Sequence, residues 1–314
     1  MRVTCKEFKD DYAHLNIKQH NIQFNWPQLR HAVVTMGFPS LRAALPSTQH
    51  ALAFALHKIF ALECIIKIDD RGTLKLHDKY ENLDQSEKGV LSYWLGMCIA
   101  KIVAYEILDV SWPVHFRHFM KENPIEMNIK KSPDYVGSDS KGNWHVIEAK
   151  GFHPEPGLIN RGRWKEQVGS IDSILGKPPE TRSYCLTRVK KKITIELVDP
   201  PGNKGKTKFD LSITPEQTQK FYYQPYLDLF SAELNQPDNI DNNRMLYKSI
   251  GFDSLNKTKY SIAIERSILE SILRNELVKK TEPILQDDWY LGTDGIALKK
   301  EPSTKEDCIE YHRH

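Results

Sequence analysis

Three side chains in this chain have the types and spacing to do chemistry: Asp134 and, after thirteen intervening residues, Glu148 and Lys150. The stretch reads Ser132-Pro133-Asp134-Tyr135-Val136, a polar run over 137–143, then Trp144-His145-Val146-Ile147-Glu148-Ala149-Lys150-Gly151. Gly137, Ser138, Asp139, Gly142 and Asn143 are turn formers between two apolar or aromatic runs, which predicts a β-hairpin. Side chains alternate along a strand, so Glu148 and Lys150 share one face and Ile147 and Ala149 the other. Such a hairpin brings two acids and a lysine together where a divalent metal could bind. Mg²⁺ takes carboxylate and water oxygens and keeps several waters, so two or three acids suffice. A bound metal lowers the pKa of a coordinated water and offsets charge on a phosphate. A lysine beside these anions either stays protonated and steadies the phosphate or, close to metal, gives up its proton.

The elements that must position these groups can be read on both sides. Residues 86–108 carry acids at their start, no proline, and apolar residues Leu91, Leu95, Ile99 and Ile102 at helical spacing. Winding them at about 100° per residue puts Glu106 between Leu95 and Ile99, inside the apolar stripe. A carboxylate there must be paired, protonated or metal-bound; a salt bridge to Lys101 or Arg117 is the alternative to a metal role. Residues 160–175 read as a second helix with Trp164, Val168, Ile171 and Leu175 inward, and Arg163 and Gln167 adjacent on one flank. Strand-like runs follow at 182–186 and 192–198.

The order helix, hairpin, helix, strand around this motif resembles the PD-(D/E)xK nuclease superfamily, which includes many restriction enzymes, RecB-type nucleases and Holliday-junction resolvases. The resemblance covers about residues 86–198, with specific residues at Asp134, Glu148 and Lys150. It implies that Asp134 and Glu148 hold Mg²⁺ or Mn²⁺ and that Lys150 helps position or activate the attacking water. Members commonly carry a glutamate on the preceding helix, where Glu106 stands, and RecB-like members a glutamine on the following one, where Gln167 stands. The tyrosine that often follows that glutamine is replaced by Ile171. The implied fold is α/β (α+β mixed): a restriction-endonuclease-like core over 86–213 with a mixed central β-sheet flanked by helices. A mixed extension over 1–85 and a helical and β extension over 214–314 complete the chain. The implied function is a metal-dependent nuclease cutting phosphodiester bonds, in DNA ahead of RNA, in restriction, anti-phage defence or DNA repair; the scattered cysteines and charged N-terminus give a cytoplasmic expectation. It would act alone, as a homodimer, or beside a helicase or ATPase subunit. The competing expectation is a nuclease-like binding or assembly subunit without turnover.

Charge distribution adds a candidate nucleic-acid contact. Net charge is only +3, yet between 182 and 208 Arg182, Arg188, Lys190, Lys191, Lys192, Lys204, Lys206 and Lys208 face only Glu196 and Asp199. Arg163, Arg188 and the three lysines 190–192 are the expected phosphate-backbone contacts, which would make binding salt-dependent. The five cysteines are scattered with no Cys-x-x-Cys pair, against a zinc ribbon or disulfide scaffold. The closest approach to a membrane span is 51–66, interrupted by His57, Lys58 and Glu63. No Gly-Lys-Ser/Thr phosphate loop or Gly-x-Ser-x-Gly elbow occurs. Further helices are expected at 47–62, 267–278 and from Thr214, hairpins at 65–76 and 289–299, a strand at 260–265 and a linker at 236–243. The aromatic group Phe221, Tyr222, Tyr223 and Tyr226 suits either a core or base stacking.

Overall fold

The computed structural model describes residues 1–17, 19–42, 45–122, 132–153, 158–201, 209–234, 245–253, 258–286 and 288–302. Strands β1 (Arg2–Lys6) and β2 (His20–Asn21) lead into helices α1 (Trp26–Arg42) and α2 (Thr48–Ile65). The hairpin β3 (Ile66–Ile68) and β4 (Leu74–Leu76) precedes α3 (Gln85–Leu108), β5 (Val114–His115) and α4 (Phe116–Glu122). Then come β6 (Tyr135–Ser138), β7 (Trp144–Phe152), α5 (Leu158–Val168), β8 (Ile171–Ile174), β9 (Thr181–Arg188) and β10 (Thr194–Val198). The last third holds β11 (Phe209–Leu211), α6 (Pro215–Leu229), α7 (Ser231–Leu234), β12 (Met245–Asp253) and β13 (Thr258–Glu265). It closes with α8 (Arg266–Leu273), β14 (Ile284–Gln286), β15 (Trp289–Leu291) and β16 (Ile296–Pro302).

The fold is mixed α/β around a seven-stranded sheet in the order β2-β1-β10-β9-β7-β6-β5. Its pairings are parallel at β1/β10 and β7/β9 and antiparallel elsewhere. The opening residues therefore complete the central sheet: Val3 pairs with Ile195, a contact that local pattern cannot reveal. The C-terminal strands form their own five-stranded antiparallel sheet, β12-β13-β16-β15-β14. Helix α3 packs on β7 and β9, α1 packs on α3, and the second sheet packs on α1 and α2, so a helical layer lies between the two sheets. Helix α5 packs on β7 and β9 as well, with the Trp164 ring against Phe152 and Tyr184. One hydrophobic cluster runs from Val3 to Leu298. The expected linker at 236–243, Cys308, Lys204, Lys206 and Lys208 lie outside the described residues. Cys5, Cys64, Cys98 and Cys185 are free thiols.

Helix α3 starts where its sequence directs. Asp84 caps the Ser86 and Glu87 N–H groups, and the Glu87 side chain returns to the Asp84 N–H. At 24 residues it is long and apolar enough to cross a bilayer, a test it passes better than residues 51–66, but most of it is buried within the protein. It lies so close to β7 that only glycine fits at the crossing. A Cβ on Gly151 would overlap the Ser92 carbonyl, and one on Gly96 would overlap the Gly151 backbone. We expect Gly151→Ala to push α3 off β7 and cost about 2–3 kcal/mol in urea unfolding, the usual cost of overpacking. Unchanged stability would show that the crossing is looser than this.

Two elements end sooner than their periodicity suggests. The helix predicted over 160–175 stops at Val168, because Gly169 and Ser170 turn the chain and Ile171 continues as strand β8. The helix predicted over 267–278 stops at Leu273. The aromatics of α6 are core: Tyr222, Tyr223 and Tyr226 are fully buried, so they do not stack on bases. Tyr222 donates to Asp294 Oδ2 at 2.5 Å and Tyr223 to the Asp294 carbonyl at 2.5 Å.

Candidate active site

Strand pairing places the two acids. The hairpin turn is set by Asp139, whose Oδ1 accepts the Lys141 and Asn143 N–H groups, and by Gly142 at φ +82. In the resulting register Tyr135 faces Ile147 and Val136 faces Val146, so one step further Asp134 lies opposite Glu148. Directly opposed residues hold their Cβ atoms about 5 Å apart. Strand β6 begins only at Tyr135, and β7 runs on without it. There the Asp134 side chain stands in for a strand, its Oδ2 accepting the Ala149 N–H at 2.9 Å. Its carbonyl accepts the Phe116 N–H at 2.9 Å, which ties it to the start of α4.

Glu148 is fully buried, yet neither of its oxygens receives a properly directed hydrogen bond. The Lys150 ammonium abuts its Oε1 as an ion pair from the same face of β7. Burial pushes both carboxyls above their ordinary range. The Asp134 charge lifts Glu148 further, and Lys150 draws both back down. Two crowded carboxylates cannot both be charged without cost unless a cation joins them. The sign of the stability effect follows. A carboxyl raised in the folded state favours folding below its unfolded value, and that favour is lost as pH rises through the raised value. In EDTA the protein should therefore melt at lower temperature at about pH 8 than at about pH 5, and Glu148→Gln should flatten this dependence. An unaltered slope in the variant would dissociate the effect from this pair.

No family model, curated protein or solved structure matches the chain, so the site is interpreted from its own atoms. Among the described residues no set of three or more His, Cys, Asp or Glu side chains is gathered at metal-binding spacing. The pair nonetheless fits a hard divalent ion, because two carboxyls interact closely in a buried place where Lys150 is the cation set against them. Two carboxylates with water and substrate oxygens are what Mg²⁺ commonly accepts.

The other expected site residues divide. Gln167, on the last turn of α5, donates to the Ser132 carbonyl at 3.2 Å, two residues before Asp134; it positions that segment and does not touch the acids. Glu106 does not join them. Helix α3 crosses β7 with Gly96 against Lys150 and Gly151, and Glu106 lies ten residues on, about 15 Å along the axis. There it accepts from Gln28 Nε2 at 3.3 Å and lines a separate open cleft of about 700 Å³ with Trp26, Asp70 and Tyr290. Burial, partly offset by Gln28, raises its carboxyl. Arg163 is exposed on α5. Arg188 pairs with Glu196 Oε1 at 2.5 Å, across the β9/β10 ladder, and Lys6 reaches the same carboxylate at 3.2 Å. Its charge is thus engaged inside the sheet. Lys190, Lys191 and Lys192 are exposed on the β9–β10 turn, at the end of the sheet where Phe152 pairs with Arg188.

Two neighbours of the acids carry no motif signal. Tyr93 of α3 has its hydroxyl pushed up to about 12 by burial and by the charges of Asp134 and Glu148, with Arg117 opposing. Arg117, exposed at the start of α4, also acts on Asp134. Helical spacing before the motif could have indicated Tyr93; Arg117 depends on the β5–β6 pairing.

Proposed function

We propose that this chain is a metal-dependent nuclease with a restriction-endonuclease-like core, hydrolysing phosphodiester bonds in nucleic acid, DNA ahead of RNA. The observation that carries it is the pair Asp134 and Glu148, opposed by strand register, with Glu148 fully buried and balanced by the Lys150 ammonium on its Oε1. Asp134 and Glu148 would hold Mg²⁺ or Mn²⁺, which supplies a coordinated water of lowered pKa and offsets charge on the scissile phosphate. Asp134 also uses Oδ2 to keep β7 in place. Lys150 offsets the Glu148 charge and, with a cation bound, would be available to a phosphate oxygen. The chain order α3, β6–β7, α5, β9 supports the superfamily reading. Restriction, anti-phage defence or DNA repair, with a homodimer or an ATPase partner, is the setting it suggests.

The test is twofold. Calorimetric titration with Mn²⁺ should show binding to the wild type and none to Asp134→Ala. Labelled single- and double-stranded DNA and RNA should be cut with Mg²⁺ or Mn²⁺ and not with EDTA. Metal binding without cleavage of any substrate would instead assign a non-catalytic nucleic-acid-binding subunit; equal Mn²⁺ binding by Asp134→Ala would sink the site.

A further inference from the structure

Helix α2 is apolar on its inner side, where Ala51, Leu52, Ala55, Leu56, Ile59 and Leu62 are buried, and Lys58 stands among them at 8% exposure. A lysine that deep ordinarily has a carboxylate partner. Among the described residues Lys58 makes no ion pair and no hydrogen bond. Its ammonium lies over two rings, 5.2 Å from the Phe54 centroid and 5.8 Å from that of Trp94. Ring faces hold a desolvated cation without neutralising it, so Lys58 keeps its attraction for an anion.

The rings themselves face outward. Phe54 is 39% and Tyr93 46% exposed, His57 is exposed and Trp94 half-buried. Phe54 and His57 lie nearly parallel with centroids 6.0 Å apart, and Trp94 stands edge-on to both, at 6.2 and 5.7 Å. Tyr93 and Trp94 lie between Ser92 and Gly96, where α3 crosses β7 at Lys150 and Gly151, and the Asp134 and Glu148 charges act on the Tyr93 hydroxyl. Arg117, exposed on α4, acts on both Tyr93 and Asp134. Lys58 also acts on His115, whose strand β5 pairs with β6 one residue after Asp134. Three rings in mutual contact with a buried cation, flanked by Tyr93 and Arg117, thus lie on or against the helix that crosses β7 two residues from Glu148.

Aromatic faces take unpaired bases by stacking, each worth a substantial fraction of binding, whereas a duplex keeps its bases stacked inside. Few cations set among the rings suit one phosphate backbone lying over them. Building on the nuclease reading, we infer that Phe54, His57, Tyr93 and Trp94, with Lys58 and Arg117, form a platform for single-stranded nucleic acid that leads its backbone to Asp134 and Glu148. The preferred substrate is then a single strand or a frayed end.

Fluorescence anisotropy on the full chain carrying Glu148→Gln, in EDTA, tests this without turnover. The probes are labelled oligo-dT and oligo-rU of about fifteen nucleotides and a blunt duplex of the same length, a span of about one OB-fold site. Single strands should bind at least about tenfold tighter than the duplex, and Phe54→Ala should lose about tenfold of that. Lys58→Met should weaken single-strand binding and lower its salt dependence while raising the melting temperature, because it removes a buried charge. Which oligonucleotide binds better separates DNA from RNA. Duplex binding equal to single-strand binding, or single-strand affinity unmoved by both Phe54→Ala and Lys58→Met, would overturn the platform. The Mn²⁺ titration of the carboxylate pair reads the nuclease proposal separately, since none of the platform variants alters Asp134 or Glu148.

Discussion

Glu148→Gln should abolish metal-dependent cleavage, by at least about a thousandfold, while leaving the protein folded and more stable without metal. The substitution keeps the shape of a fully buried side chain and removes its charge. The amide still offers an oxygen, but a neutral one, so the cation loses half of its anionic support from the protein. Lys150 loses its ion-pair partner as well. Because burial and the Asp134 charge outweigh Lys150 and raise the Glu148 carboxyl, its carboxylate weakens the fold, and the variant should gain about 1–2 kcal/mol in EDTA at about pH 8. Cleavage and stability therefore move in opposite directions, which ordinary structural damage would not produce. Lys150→Ala should lose cleavage by a comparable factor yet still bind Mn²⁺, since lysine is not a ligand. Single-turnover assays with excess enzyme and metal read the first effect, and urea melts in EDTA read the second. Cleavage by Glu148→Gln within about tenfold of wild type would dismiss this site as the catalytic one.

What could be read from sequence depended on whether the information was local. The hairpin was legible because its alternation and its Asp139–Gly142 turn lie within one short segment, and strand register then determines which acids meet. Helix α3 announced itself through its cap and spacing. Glu106 was misplaced because a helical wheel gives the angle of a residue around the axis and not its distance along it. The second helix was drawn too long because Ile171 continues the apolar period across a break at Gly169 and Ser170. Pairing of β1 with β10, the burial of the α6 tyrosines and the approach of Arg117 all depend on contacts between distant segments. The lysines at 190–192 are exposed, and Arg188 was not distinguishable from them in sequence, because its partner Glu196 becomes its neighbour only in the ladder.

Asp294→Ala should be the most destabilising single substitution proposed, costing about 3–5 kcal/mol. Asp294 lies at 1% exposure in the turn between β15 and β16 and inserts into the helical layer. Its carboxylate meets His31 Nε2 of α1 at 3.0 Å, Lys101 Nζ of α3 at 3.5 Å and the Tyr222 hydroxyl of α6. Lys101 in turn donates to Thr35 and, at 2.6 Å, to Tyr222. Burial would raise the Asp294 carboxyl, but His31 and Lys101 hold it well below the usual carboxylate range. Such a depressed group stabilises the fold above its unfolded value and loses that contribution only as pH falls through the folded one, so the network persists into mild acid. Burial also pulls Lys101 down to about 8 despite Asp294, which shows how much that anion must offset. Removing Asp294 strands the ammonium, whereas Asp294→Ala with Lys101→Met removes both charges and should recover most of the loss. Urea midpoints of the two variants decide it: equal destabilisation in both would mean that packing, not charge, holds the junction between helices and second sheet.

Asp134 divides its labour between two oxygens. One completes the hydrogen bonding of β7 where β6 has ended, and the other would serve the cation. A cation bound there would stitch two neighbouring chain segments together at the point where the ladder gives out. Loss of the ion and fraying of the sheet margin would then be a single event, and the Ala149 amide its natural reporter in hydrogen exchange. On this view the margin of the sheet is its working part, kept short of a strand so that a side chain can do what a backbone cannot.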